Sequence, residues 1–238
     1  MNTVLQVAAM ASANIATAQA AVTNNLANAG TTAFKADLFY AEQGYVGSGE
    51  AGASSVDYSA GNISYTGRDL DIAIASDGWM QVVTPGGEEI LSRRGDLRLD
   101  PLGNLVDAEQ NQILSDAGPI NIPADSRVTI GADGTVSYVP KGETALSTVV
   151  LGRILLVNPD PETLQKGLDG NIRANADANL EPSADVQIAV GALETSNVNP
   201  IASMVQMIEL SRSFESHIQT MKSADELDAS SASLMRLE

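Results

Sequence analysis

The sequence predicts an α+β fold in which two terminal helices, pairing as a discontinuous coiled coil, bracket an antiparallel β-rich domain. Of 20 glycines 19 lie in residues 35–193, and eight of the nine prolines lie there too. Glycine and proline break helices and mark turns, so the middle of the chain is rich in turns and the ends are not. The second observation is charge: residues 1–34 contain no ionisable side chain, although the formal net charge of the chain is −17.

The N-terminal segment predicts a helix that packs against other helices. Its apolar side chains recur in alternating steps of four and three residues, which is the spacing of a helix-packing seam. The seam positions are Val4, Ala8, Ala11, Ile15, Ala18 and Val22. A helix face that carries no charge is normally covered by another surface. We do not expect a signal peptide, because no basic residue precedes Lys35, or a membrane span, because polar residues such as Asn14 interrupt the apolar run.

The C-terminal segment predicts a second helix with a readable start. Asn199 is a good N-cap, and Pro200 suits the first helical position, where a missing N–H costs nothing. Apolar residues then occupy more than one face: Ile201, Met204, Val205 and Ile208 on one, Met207, Leu210, Phe214 and Met221 on the other. Because two helices cannot enclose a core alone, they must lie on the β-rich domain or pack against other chains.

Residues 35–193 predict short antiparallel strands in a sandwich or small barrel. Turn signals such as Asp77-Gly78 recur about every ten residues along this stretch. The alternation around residues 69–74 predicts Asp69 and Asp71 in water, and Trp79 is expected in the core. Residues 44–53 predict a flexible connector into this domain.

The composition argues against an enzyme and against most ligands. Cysteine is absent and His217 is the single histidine, so we expect no catalytic residues, no metal site and no cofactor. The acidic balance excludes nucleic acid as a partner, and no constellation predicts a small-molecule substrate. Arg93 and Arg94 are interpreted as charges at a sheet edge or an interface.

Two stretches are unusual for simple packing helices. Asn24, Asn25 and Asn28 lie close to the apolar seam, where amides set helix register at some cost in stability. Gly30 is then expected to take the left-handed position after the helix, with Phe34 as an apolar anchor. The second stretch, residues 193–200, leads directly into residues 204–210 of the C-terminal helix.

These stretches resemble the terminal signatures of the rod and hook family of bacterial flagellar axial proteins. Residues 24–35 are similar to the family pattern NNLANxxTxGFK, and residues 196–208 to SNVNxxxxMVxMI. Residues 65–74 and 130–136 resemble the proximal rod members most, with the distal rod members as an alternative. Ala33 stands where the family pattern has glycine, and we expect a negative φ there.

The resemblance implies a structural subunit of the flagellar basal-body rod in the periplasmic space. Its partners would be copies of itself, other rod subunits and the flagellar type III export apparatus. Residues 1–34 and 194–238 would form the inner layer of the rod, and residues 35–193 an outer layer with 23 acidic and 10 basic residues. The expected assembly interface comprises Val4, Ala8, Ala11, Ile15, Ala18, Val22, Asn24, Asn25, Leu26, Asn28, Phe34, Ser196, Asn197, Asn199, Met204, Met207, Ile208 and Phe214. From another class, a secreted self-contained β-domain with binding or hydrolase activity stays open, and hydrolysis would need a carboxylate pair facing a cleft.

Overall fold

A computed structural model describes residues 2–40, 53–124, 126–143 and 147–235, and within them it contains two α-helices and eighteen β-strands. The predicted α+β class with antiparallel strands is confirmed. The chain divides into two compact units. The first, here called the helical unit, comprises Met1–Ala29, Lys35–Asp57 and Val198–Glu238. The second, here called the β unit, comprises Gly30–Phe34 and Tyr58–Asn197.

The helical unit contains both long helices and one strand pair. Helix α1 spans Asn2–Ala27 and α2 spans Pro200–Met235. Strands β1 (Asp37–Tyr40) and β2 (Ala53–Val56) pair antiparallel. The predicted start of α2 is confirmed, because Asn199 Oδ1 accepts the N–H groups of Ile201 and Ala202, both at 3.1 Å. Neither helix has, within its described residues, an apolar stretch long enough to cross a bilayer.

The β unit is a set of short antiparallel strands. Its largest sheet runs in the order β15-β16-β6-β5-β9-β8-β7, with β10 beside β9 and β14 beside β5, while β11-β12-β13, β17-β4 and β18-β3 form smaller sheets. The strands are β3 Ile63–Tyr65, β4 Ile72–Ile74, β5 Trp79–Val83, β6 Glu89–Ser92, β7 Arg98–Leu99, β8 Leu105–Val106, β9 Gln112–Ser115, β10 Gly118–Pro119, β11 Ser126–Ile130, β12 Thr135–Pro140, β13 Val149–Arg153, β14 Leu156–Val157, β15 Leu164–Lys166, β16 Ile172–Ala174, β17 Ile188–Val190 and β18 Ala192–Glu194. The predicted connector at 44–53 lies outside the described residues except for Ala53, which begins β2.

The core of the β unit confirms one sequence expectation and corrects another. Trp79 is buried, as predicted, in a cluster with neighbouring aliphatic side chains. Asp69 is exposed as predicted, but Asp71 is buried, because Arg68 Nη1 donates to its Oδ1 at 2.8 Å and Thr66 Oγ1 donates to its Oδ2 at 2.6 Å. The simple alternation also fails at β4, where Ala73 is buried between Ile72 and Ile74. A strand covered on both faces has no solvent side.

The backbone after α1 differs from the sequence expectation at two positions. Ala33 has φ +55°, so the predicted negative φ is wrong. Gly30, which was expected to be left-handed, is not in that region, and a Cβ placed there would meet nothing within 4 Å. The turn therefore places its left-handed residue three positions later than predicted. The Ala33 N–H donates to Glu194 O at 2.9 Å in this conformation.

Candidate assembly surface

Helix α2 presents a row of exposed apolar side chains, here called the α2 row. The row consists of Ile201, Met204, Val205 and Ile208, whose exposed fractions are 76%, 51%, 51% and 55%. Residues at these spacings share one face of a helix. Single exposed apolar residues scattered over a surface are ordinary, whereas these four lie next to one another on one face of the helix.

The remaining predicted positions on α2 are more covered than the row. Met207 and Phe214 are half-buried, and Met207 Sδ lies 3.8 Å from Thr23 Oγ1 of α1. Gln19 Nε2 of α1 donates to Ser211 Oγ at 3.3 Å. The predicted α2 residues thus separate into two faces, one turned toward α1 and one exposed.

On α1 the predicted seam is the covered side of the helix. Ala8, Ala18 and Val22 are buried, and Ala11, Ile15 and Leu26 are half-buried. The side chain of Val4 lies outside the described residues. Val7 and Met10, which the seam pattern passed over, are 46% and 44% exposed. The seam spacing therefore marks the side of α1 that is covered within the chain, and Val7 and Met10 lie outside it.

The asparagine cluster is hydrogen-bonded inside the helical unit. Asn25 is buried, its Nδ2 donates to Asp37 O at 2.8 Å, and its Oδ1 accepts the Asp37 N–H at 2.8 Å. Asn24 Nδ2 donates to Asp37 Oδ2 at 2.6 Å, and Asn28 Nδ2 donates to Asn24 O at 2.9 Å. The amides therefore connect the end of α1 to the first residue of β1. The three neighbouring asparagines are recognisable in the sequence, but nothing in the sequence identifies Asp37 as the partner of Asn24 and Asn25.

Phe34, Ser196 and Asn197 lie in the β unit, where the segments 30–34 and 194–197 are hydrogen-bonded to each other. The Asn197 N–H donates to Phe34 O at 3.3 Å, and Ser196 is buried. Lys166 Nζ lies 4.3 Å from the centre of the Phe34 ring, a cation–π contact. The predicted anchor thus has a specific partner, in a lysine that sequence reasoning did not single out.

Glu194, in the second of these segments, forms a buried ion pair with Arg93. Arg93 is not at a sheet edge as interpreted from the sequence: its side chain is 3% exposed, and its Nε donates to Glu194 Oε2 at 2.7 Å. Its Nη1 donates to Gly78 O at 2.6 Å and its Nη2 to Ile74 O at 3.1 Å, so the guanidinium is surrounded by acceptors. Arg94, by contrast, is partly exposed and pairs with Asp96 at 2.9 Å.

The surface charges of the β unit form local hydrogen-bonded networks. Arg173 donates to both Glu88 and Asp169, which lowers the pKa of each carboxyl and raises the pKa of Arg173. The hydrogen bond from Thr135 lowers the pKa of Asp133. Among the described residues no group of three or more His, Cys, Asp or Glu side chains could hold a metal ion.

Comparisons with known proteins agree with the resemblance to the rod and hook family. Residues 189–234 match the family described as flagellar basal body rod FlgEFG protein C-terminal, and residues 73–138 match the flagellar hook protein FlgE/F/G D1 domain. The chain is 34% identical to the flagellar basal-body rod protein FlgF of Escherichia coli (strain K12), over 87% of this chain and 88% of the relative. It is 33% identical to FlgF of Salmonella typhimurium (strain LT2), over 92% of each chain. It is 29% identical to the rod protein FlgG of Buchnera aphidicola subsp. Schizaphis graminum, over 87% of this chain and 89% of the relative. The chain therefore belongs to the flagellar basal-body rod protein family.

Proposed function

We propose that this chain, as a structural subunit of the flagellar basal-body rod, polymerises through its terminal helices in the proximal part of the rod. The α2 row is the observation that carries the proposal, because four neighbouring apolar side chains face solvent in the single chain. The similarity to relatives named FlgF supports the proximal rod over the distal rod. Among the described residues no observation favours a self-contained binding or hydrolase domain.

The terminal helices act as a coiled-coil pair in the inner layer of the rod. Contacts between Gln19 and Ser211 and between Thr23 and Met207 support pairing of α1 with α2 inside one subunit. The α2 row then meets a neighbouring subunit. Removing the exposed parts of four such side chains from water contributes on the order of 4 kcal/mol per interface before the cost of ordering.

The β-rich residues form the outer layer and carry most of the charge. In this proposal the inner layer comprises residues 1–34 and 194–238 and the outer layer residues 35–193. The excess of acidic residues in the outer layer keeps its surface hydrated, while the uncharged first 34 residues contact other copies of the chain and other rod subunits. The proposal includes export of the chain to the rod through the flagellar type III export apparatus.

The test introduces a charge into the α2 row. Ile208→Asp should abolish motility and rod assembly, because an aspartate buried without a counter-charge costs several kcal/mol per interface. In the isolated protein Ile208 is 55% exposed, so the helical thermal unfolding midpoint followed by far-ultraviolet circular dichroism should be nearly unchanged. The Ile15→Asp variant tests the α1 seam at a half-buried position, and it should abolish assembly while leaving the β unit folded.

The matched control is Gln206→Asp, which adds the same charge two residues away at an exposed polar position of the same helix. Variants are expressed in a strain lacking the gene, swimming is scored, and purified basal bodies are probed for the subunit. Normal rods with Ile208→Asp would show that the α2 row is not an assembly surface. Loss of assembly with both variants would show that the effect belongs to the charge and not to the row.

A further inference from the structure

Three segments of the β unit, residues 30–34, 58–62 and 194–197, come together at one residue, Glu194. Its backbone oxygen accepts the N–H of Ala33 at 2.9 Å, and its Oε1 accepts the N–H of Gly61 at 2.9 Å. Its Oε2 accepts Nε of Arg93 at 2.7 Å. The Glu194 side chain is 1% exposed, so its contacts are shielded from solvent.

The same three segments are where the chain enters and leaves the β unit. Residues 30–34 are followed by the helical unit, residues 58–62 come from it, and residues 194–197 lead back into it. Further bonds join them: the Asn197 N–H donates to Phe34 O at 3.3 Å, and Asn197 Nδ2 donates to Ser59 O at 3.2 Å. The entry and exit segments of the β unit are therefore held in one hydrogen-bonded cluster.

Arg93 connects this cluster to the core of the β unit. Besides Glu194, its guanidinium donates to the carbonyl oxygens of Gly78 and Ile74, and it lies 5.7 Å from the centre of the Trp79 ring. A planar guanidinium with several fixed acceptors holds its partner in one geometry, which a lysine ammonium does not reproduce. The position of the Glu194 side chain therefore depends on the Arg93 guanidinium, and so does the geometry of the hydrogen-bonded cluster.

We infer that Arg93 is a positioning residue for rod assembly, which acts through Glu194 to hold the three segments that join the β unit to the assembling helices. This role rests on the proposed function of the helices in polymerisation. Arg93 itself is not one of the predicted interface residues, and its effect is transmitted by Glu194. It is a role that the family signatures in residues 24–35 and 196–208 do not contain.

The experiment compares Arg93→Lys with Arg94→Lys in the full-length protein. Amide hydrogen exchange of Ala33, Gly61 and Asn197 should speed up by about tenfold or more in Arg93→Lys. The amides of Leu105 and Ile122, which donate to Ile120 O and Gly103 O, should stay within about twofold of wild type because they lie in a different part of the unit. Arg94→Lys should leave all five rates and motility unchanged.

Motility in a strain lacking the gene is the second readout, and Arg93→Lys should reduce it. A uniform rise in all five exchange rates, or no rise in any, would overturn the positioning role. Raised exchange confined to the cluster together with normal motility would also overturn it.

If Arg93→Lys does not fold, the double variant Arg93→Met/Glu194→Leu removes the guanidinium and its carboxylate partner together, so no unpaired charge is left buried. It should show the same selective exchange and the same loss of motility, and wild-type behaviour of both would overturn the inference. Failure of the wild-type gene to restore motility would instead overturn the proposed function.

Discussion

Replacing Ala33 by glycine is expected to stabilise the protein, although a substitution by glycine usually destabilises a folded protein. With φ at +55°, the Cβ of Ala33 crowds the neighbouring backbone, which costs a non-glycine residue about 1–2 kcal/mol. Replacement by glycine removes that strain but adds about 0.5–1 kcal/mol of unfolded-state entropy. Loss of a half-buried methyl group costs roughly 0.3 kcal/mol more. Ala33→Gly should therefore stabilise the β unit by about 0.5 kcal/mol.

The assay is urea unfolding followed by the fluorescence of Trp79, the single tryptophan of the chain, which is buried in the same unit as Ala33. With a slope of about 2 kcal/mol per molar urea, the midpoint should rise by about 0.25 M. The N–H of residue 33 still donates to Glu194 O after the substitution, so the hydrogen-bonded cluster is retained.

The matched control is Ala176→Gly, an exposed alanine of the same unit whose φ is not positive. Only the entropy term applies there, so its midpoint should fall by about 0.3–0.4 M. The two variants should therefore differ by about 0.6 M in urea midpoint, and this difference tests whether strain at Ala33 is relieved. A fall of the Ala33→Gly midpoint as large as that of the control would refute the reasoning, because it would mean that no strain is relieved.

The remaining predictions concern charged groups. Arg173→Gln should raise the pKa of Asp169 and of Glu88 toward ordinary values, as followed by carboxyl carbon NMR. Their lowered folded-state pKa values stabilise the protein above pH about 4 and lose that effect as pH falls further, so the variant should show a shallower acid loss, and unchanged pKa values would contradict this. Glu194→Gln leaves the buried Arg93 charge without a counter-charge and should cost about 3–5 kcal/mol in urea unfolding. Arg93→Met/Glu194→Leu should stay within about 2 kcal/mol of wild type, and equal destabilisation of both variants would contradict the argument.

Local chemistry allowed several features to be predicted from residues close in sequence. The start of α2 follows from a capping side chain and a proline whose effects act within three residues, and the structure confirms both. The antiparallel strands follow from turn residues at short spacing, and the burial of Trp79 follows from its size and its strand neighbours. The described residues 35–40 and 53–57, which the sequence grouped with the β-rich domain, belong to the helical unit, where Asn25 binds the backbone of Asp37.

Long-range partners were beyond reach of the same reasoning. Arg93 and Glu194 are 101 positions apart, and nothing in the neighbourhood of either indicates burial. Two adjacent arginines look alike in sequence, yet one is buried and the other is partly exposed, because only the fold decides which one meets a carboxylate. The left-handed Ala33 after α1 likewise donates its N–H to Glu194 O, a partner that lies far away in the sequence.

The asparagine cluster shows why the α2 row carries the specificity of assembly in our proposal. Asn25 is buried with its carbonyl and amino groups both bonded to the backbone of Asp37, and Asn24 binds the Asp37 carboxylate. An amide already satisfied inside its own chain gains little from a neighbouring subunit, since a new hydrogen bond would only replace an existing one. Register between subunits then has to come from the shape of apolar side chains. On the described part of α2, the α2 row is where such side chains remain open.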